Sequence, residues 1–196
     1  MNGGQDHLSF FDLARRQRAH RAFRDDAVSD ATIDRLLVAA THAPSAENSQ
    51  PWEFVVVRDP ATRAALGAVM AEIWQSVRAY SESRLDPGLF EEVDAGIAGG
   101  GIAGAPVLIV VCVDTDRVHP GAVGSSAYPA VQNLLLGATA LGLGSALTTI
   151  ATQHAARLRG LLGLSDRLDP VAVVPIGRPA QELGPSRRDP PRVSYR

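Results

Sequence analysis

The sequence predicts a single α+β domain, or its α/β variant, in which several helices pack on a small central sheet. Three observations carry this. Helical and strand patterns interleave along the chain, with helices in the majority. One strand candidate, Val107–Val113, is apolar without interruption, as strands covered on both faces are. Finally, 196 residues, 45% of them hydrophobic and 20% charged, amount to about one domain with a real core and exclude wholesale disorder.

The elements follow in order. Residues 12–22 are predicted to form a first helix carrying Arg15, Arg16, Arg18 and Arg21. Ser29 caps a second, with Ile33, Leu36, Leu37 and Ala40 at the spacing of one buried face, and Pro44 stops it. Ser45 to Pro51 is a polar loop, and the Val-rich Glu53–Arg58 a strand. Asp59-Pro60 is an N-cap followed by proline at the first helical position; the helix behind it sets Leu66, Val69, Met70, Ile73 and Val77 on one stripe. The pattern weakens from Ser81 to Gly104, predicting a short helix and a mobile excursion. A long helix from about Ser126 keeps Val131, Leu134, Leu135, Ala138 and Leu141 in register, with Gly142 to end it. Thr152 reads as the cap of a short helix ending near Gly163, and Val171–Ile176 as the last core strand. The whole of 1–196 is taken as one domain. Its tail, 180–196, is rich in Pro and Arg, cannot build a core alone, and suits contact with a partner subunit.

Several chemistries are excluded. All 19 basic residues are Arg, so Schiff-base chemistry, pyridoxal phosphate tethering and a phosphate-loop lysine cannot occur. No apolar stretch is long enough to span a membrane, and the N-terminus lacks the basic flank and apolar run of a signal peptide, so a cytoplasmic globule is expected. One cysteine, Cys112, excludes an internal disulfide and a cysteine-built zinc site; inside an apolar strand it reads as a buried, inert thiol. The five histidines show no metal-binding spacing, so no metal is expected, and there is no GxSxG elbow. Gly99–Gly104 satisfies GxGxxG, but it precedes a strand where a dinucleotide site needs it to follow one, so it reads as a flexible lead into the strand.

Two stretches remain as candidate sites. Arg18 and Arg21, three apart on a predicted helix face, form either a solvated basic surface or a pair of guanidinium forks for a phosphate. Arg187 and Arg188 add a second cationic group. In a chain of net charge −2 this suggests a small local anion and no nucleic-acid surface. The loop Ala43-Pro44-Ser45-Ala46-Glu47-Asn48-Ser49-Gln50-Pro51-Trp52 is either an ordinary polar turn or a source of hydrogen bonds for a planar heteroaromatic ring.

Taken together, these pieces resemble the FMN-dependent nitroreductase family. Four motifs carry the resemblance: Arg18-Ala19-His20-Arg21-Ala22-Phe23; the loop from Pro44 through Ser45, Asn48 and Gln50 to Pro51-Trp52; Ala130–Leu136 leading to Leu141–Ser145; and Pro175–Pro179 with the Arg-rich tail. They cover nearly the whole chain in the family's order.

The resemblance implies a nitroreductase-type fold: a central mixed sheet flanked by helices in a three-layer arrangement, in an intertwined homodimer with two FMN sites at the interface. Each site would take Arg18, Ala19 and Arg21 from one subunit and Pro44, Ser45, Ala46, Asn48 and Gln50 from the other. Arg21 would lie at the flavin N1/C2 edge, where charge builds on reduction, and Arg18 on phosphate or ribityl oxygens. Leu147, Thr148 and Thr149 would line the ring near N5. Arg188 would bind phosphate, with Arg187 the close alternative. Ala19 and Gln17 stand where the family often has Ser and Arg. The implied activity is hydride transfer from NADH or NADPH through flavin N5 to a small electrophile such as a nitroaromatic or quinone, by a ping-pong mechanism without a dedicated catalytic acid or base. Reductive dehalogenation, flavin fragmentation and non-catalytic flavin storage are the alternatives. Ser81–Gly104 would cover the acceptor pocket.

Overall fold

Eight consecutive buried residues, Val107–Asp114, form the middle strand β2 of the computed structural model, which describes residues 8–185 and 188–196. On one side β2 pairs antiparallel with β1 (Trp52–Val57), and on the other with β4 (Leu168–Gly177). A two-residue strand, β3 (Gly144–Ser145), pairs antiparallel with the end of β4, so the order is β1-β2-β4-β3. All three strand pairings are antiparallel, which corrects the expected mixed sheet; among the described residues the parallel pairing is one isolated bridge, Ala19 to Ser145, outside the named strands.

Alternation along β2 divides the core in two. Val107, Ile109, Val111 and Val113 meet Leu36 of α2 (Asp30–Thr41) and Leu134 of α5 (Val123–Ala140). Leu108, Val110 and Cys112 meet Leu66 and Met70 of α3 (Pro60–Glu82), Phe90 of α4 (Pro87–Ile97) and Leu158 of α6 (Ala155–Leu162). The result is three layers, helices on each face of a four-stranded sheet. Burial pushes the Cys112 thiol up to about 12, so it stays protonated and unreactive.

The helix ends follow their side chains. The Ser29 hydroxyl accepts from Thr32 N–H, and the Asp59 carboxylate from Thr62 N–H at 2.7 Å, ahead of Pro60. Gly142 and Gly163 take φ values of +68° and +65°, the left-handed geometry that closes α5 and α6.

Three local readings are corrected. The predicted helix over 12–22 is α1 (Phe10–Arg16) alone. Beyond Gln17 the chain is extended: His20 N–H donates to Ser145 O at 2.9 Å, Arg24 N–H to Arg178 O at 2.9 Å, and Ala180 N–H to Ala22 O at 3.0 Å. Pairing with distant strands overrides local helix preference there. Secondly, the segment 81–104 holds the expected short helix but no excursion. The helix α3 runs to Glu82, and α4 opens on the Asp86 cap with Pro87 at its first position. The Asp94 carboxylate of α4 accepts from Trp74 Nε1 at 2.6 Å and Arg78 Nε at 2.9 Å, and so ties α4 to α3. Finally, Thr152 caps nothing: it lies inside a 3₁₀ turn, Ala151–His154, and donates its hydroxyl back to Thr149 O. Residues 188–196 are exposed throughout and form neither helix nor strand.

Candidate functional site

The extended segment 17–24 lies along the short strand β3, so the backbone around Ala19 and His20 is fixed beside Ser145. Contact is close: a Cβ on Gly144 would stand 3.0 Å from His20 Cβ. Arg18 and Arg21 leave this segment in different directions. The Arg18 guanidinium donates to the carbonyl of Gly184 in the tail, while that of Arg21 donates to Glu92 Oε1 of α4 at 2.6 Å. The phosphate clamp predicted from one helix face is therefore not formed. Residues three apart on an extended chain point to opposite sides. The divergence suits the other assignment, in which the two arginines serve different parts of one long ligand. A cavity of about 330 Å³ opens beside Arg21, lined by His20, Arg21, Glu91, Glu92, Gln181 and Leu183 among others. Burial lowers the His20 pKa, so its imidazole favours the neutral form.

Of the three residues predicted near the ring, Leu147 and Thr149 are exposed, and Thr148 is buried with both its backbone groups bonded to Val173. The Thr148 hydroxyl accepts from Ile150 N–H at 3.3 Å, which leaves Leu147 and Thr149 as the surface of this stretch. It follows β3 directly and so belongs with Arg18 and Ala19. Arg188 is exposed in the extended tail; Arg187 lies outside the described residues.

The loop 44–50 is built differently. Glu47, Asn48 and Gln50 have φ of 54°, 52° and 46°. Each such residue costs on the order of 1 kcal/mol and persists only where the surroundings impose it. Here they do: Gln50 N–H donates to Ser45 Oγ at 3.0 Å, Ala46 N–H to Ser126 Oγ at 3.1 Å, and the Trp52 indole N–H to Ser126 O at 2.6 Å. Pro44, Asn48 and Gln50 remain exposed, with Gln50 Nε2 donating to Asn48 Oδ1 at 3.2 Å. Inside the loop the Ser49 hydroxyl is buried without a hydrogen-bond partner. A strained loop with exposed amide side chains and an unsatisfied hydroxyl fits a partner that brings donors and acceptors of its own.

These two groups do not meet in one chain. The loop is anchored at Ser126, near the start of α5, and Ser145 follows its end; from Ser126 to Ala140 a rise of 1.5 Å per residue spans about 21 Å. The sheet agrees: Trp52 pairs with Val113, whereas Ser145 pairs with Ile176, which lies opposite Val107 at the other end of β2.

Composition and spacing do not single out Glu92, Gly96, Gly101, Ser126 or Ser145, which position the candidate residues. Gly101 entered the sequence reading only as part of a run taken for a flexible lead, and Ser145 only as the end of one motif. Among the described residues no cluster of three metal-ligating side chains occurs, and no helix is long and apolar enough to cross a membrane.

The fold and these motif positions define a flavin-type oxidoreductase scaffold. The family model described as the nitroreductase family matches residues 14–178, and the chain belongs to that family. It is 29% identical to an NADH dehydrogenase of Thermus thermophilus over 90% of each chain, and 31% identical to a 5,6-dimethylbenzimidazole synthase of Rhodobacter capsulatus over 91% of this chain and 88% of that one. Among solved structures, a protein of Desulfovibrio desulfuricans described as a nitroreductase in complex with FMN superposes with a TM-score of 0.73 at 32% identity, covering 92% of this chain and 91% of that one. Family and FMN-bound neighbour together support flavin-dependent oxidoreduction as the class of chemistry.

Proposed function

We propose that the protein is a homodimeric FMN oxidoreductase that takes hydride from NADH or NADPH and passes it to a small electrophile such as a nitroaromatic or a quinone, in ping-pong order. The observation that carries the reading is the separation of its two site regions along α5. Two chains in antiparallel register would bring the 18–21 region of one against the 44–50 loop of its partner. Other features support the dimer. The edge strand β1 borders a groove of about 650 Å³ where Asp34, Asp59 and Asp30, the last paired with Arg58, leave a net acidic lining, and the exposed tail carries Arg192 and Arg196, of complementary charge.

In this reading Arg18 and the Ala19 backbone hold phosphate or ribityl oxygens together with Arg188 or Arg187. Arg21 stands at the ring edge where negative charge develops, and Ser45, Asn48 and Gln50 of the partner's loop offer hydrogen bonds. Bound FMN would supply the hydride chemistry at its N5. The protein positions the ring, balances its charge and keeps one face open to donor and acceptor in turn; Leu147 and Thr149 border that region, and no side chain is assigned as acid or base. The match to a 5,6-dimethylbenzimidazole synthase favours a second reading, a specialised reaction with one narrow acceptor or with the flavin itself.

The test is the visible spectrum of the purified protein, repeated without oxygen after NADH and, separately, NADPH. Bleaching of a flavin spectrum by either nucleotide supports the reductase and names the donor. A bound flavin that stays oxidised with both overturns it in favour of flavin storage or another donor, and a protein that takes up no FMN removes the reading altogether.

A further inference from the structure

Two glycines of the 81–104 segment, one of them from the run that fails as a dinucleotide motif, have a different use. Gly96, in the last turns of α4, and Gly101, just beyond it, bracket Arg21. A Cβ on Gly96 would stand 2.7 Å from Arg21 Cβ, and one on Gly101 only 2.2 Å from the Arg21 carbonyl oxygen. Any larger residue at either position would force Arg21 away. Glu92, one helical turn before Gly96 and so on the same face of α4, receives the Arg21 guanidinium at 2.6 Å; the two side chains are 20% and 34% exposed. The Arg21 backbone is thus seated by Gly101 just beyond α4, and its side chain by Gly96 and Glu92 of α4.

We infer that Glu92 is a positioning residue that aims Arg21 and sets how much of its positive charge a bound flavin feels. This rests on the proposed function, with Arg21 at the flavin edge. A carboxylate bonded to the guanidinium in a half-buried site offsets most of its field, since paired opposite charges nearly cancel a few ångströms away. Removing the negative charge while keeping the side chain's shape leaves Arg21 uncompensated, and the reduced flavin, which carries more negative charge than the oxidised one, gains more from it. The inference also reassigns 81–104: instead of only covering an acceptor pocket, α4 governs the electronics of the cofactor site.

The experiment compares the two-electron midpoint potential of bound FMN, by dye equilibration, in the wild type, Glu92→Gln, Glu92→Asp and Glu91→Gln. Glu91 lines the same cavity but is not the Arg21 partner, and so serves as the control. Expected is an upward shift in Glu92→Gln equal to a tenfold change in the reduced-to-oxidised ratio, about 30 mV for a two-electron couple. Glu92→Asp, which keeps the charge at a longer reach, shifts less in the same direction, and Glu91→Gln, which removes a charge from the same cavity without freeing Arg21, shifts clearly less than Glu92→Gln. A purely structural Glu92 would lower thermal stability and leave the potential unmoved. If every protein binds FMN and Glu92→Gln, or Glu92→Asp should the first not fold, has the potential of Glu91→Gln, the inference is overturned while the proposed function stands. A wild type that binds no FMN overturns both.

Discussion

Residues 17–24 owe their conformation to other parts of the chain, whereas residues 44–50 carry theirs as internal strain. The first segment is extended because its backbone bonds to Ser145, Arg178 and Ala180, and because Gly96, Gly101 and Gly144 clear space for it. The second bends through three non-glycine residues at positive φ and is fastened at one point, Ser126. A region that manages charge is best built rigid, since the field of an arginine is useful only at a fixed place. A region that offers hydrogen bonds to a ligand or a neighbouring subunit benefits from stored strain that binding can exploit.

The largest test of this contrast is Gly101→Ala. The new methyl would meet a backbone carbonyl that cannot swing aside, so the 17–24 segment or α4 must shift, at a cost of about 3 kcal/mol. At about 2–4 °C per kcal/mol for a chain of this size, thermal denaturation should show a midpoint lower by roughly 6–12 °C. An unchanged midpoint would show that the segment is less rigid than its contacts require.

Arg18→Ala probes charge without packing, because among the described residues the side chain's hydrogen-bond partner is the exposed Gly184 carbonyl. Folding stability should change by under about 0.5 kcal/mol, as for other surface substitutions. FMN affinity should fall by about 1–3 kcal/mol, the scale of a hydrogen bond to a charged group. Fluorescence titration reads both the retained fold and the weaker binding; equal affinity would refute the phosphate role.

Ser126→Ala attacks the loop at its fastening. It strands the Ala46 N–H in a half-buried place and costs about 1–2 kcal/mol, seen as a lower urea midpoint. The Trp52 indole keeps its bond to the Ser126 carbonyl, so β1 should stay in register. If the midpoint does not move, the hydroxyl is not what imposes the loop's left-handed turns.

How much of this was legible in the sequence follows the same division. Local signals worked where the cause is local: the apolar run of β2, the caps at Ser29 and Asp59, and the closing glycines 142 and 163. The loop after Pro44 was also correctly bounded, since its prolines and short polar residues act within a few positions. The extended course of 17–24 was not legible, because its partners lie more than a hundred residues away and its own arginines and alanines favour helix. The two-residue strand β3 is too short to leave a pattern. A short helix was read in 81–104, but its bounds were not: the Asp86-Pro87 opening of α4 has the same signature as Asp59-Pro60, and the glycines beyond it obscured it. The candidate site residues came from motif order along the chain. Their division between the two ends of α5 needed the fold.

The smallest predicted effect tests whether the loop's strain is compensated. Glu47 sits at φ 54° and is exposed. Glycine there removes a conformational cost of about 1–2 kcal/mol but gives back roughly 0.5–1 kcal/mol through the greater freedom of the unfolded chain. Glu47→Gly should therefore be nearly neutral or slightly stabilising, by at most about 1 kcal/mol by urea denaturation. The same substitution frees the folded loop to sample other turns, so FMN affinity should fall by a small factor although no contact is lost. Weaker binding in a protein of equal or greater stability would mark the loop as shaped for its ligand. A protein both destabilised and unchanged in FMN binding would show instead that the left-handed turn serves the fold alone.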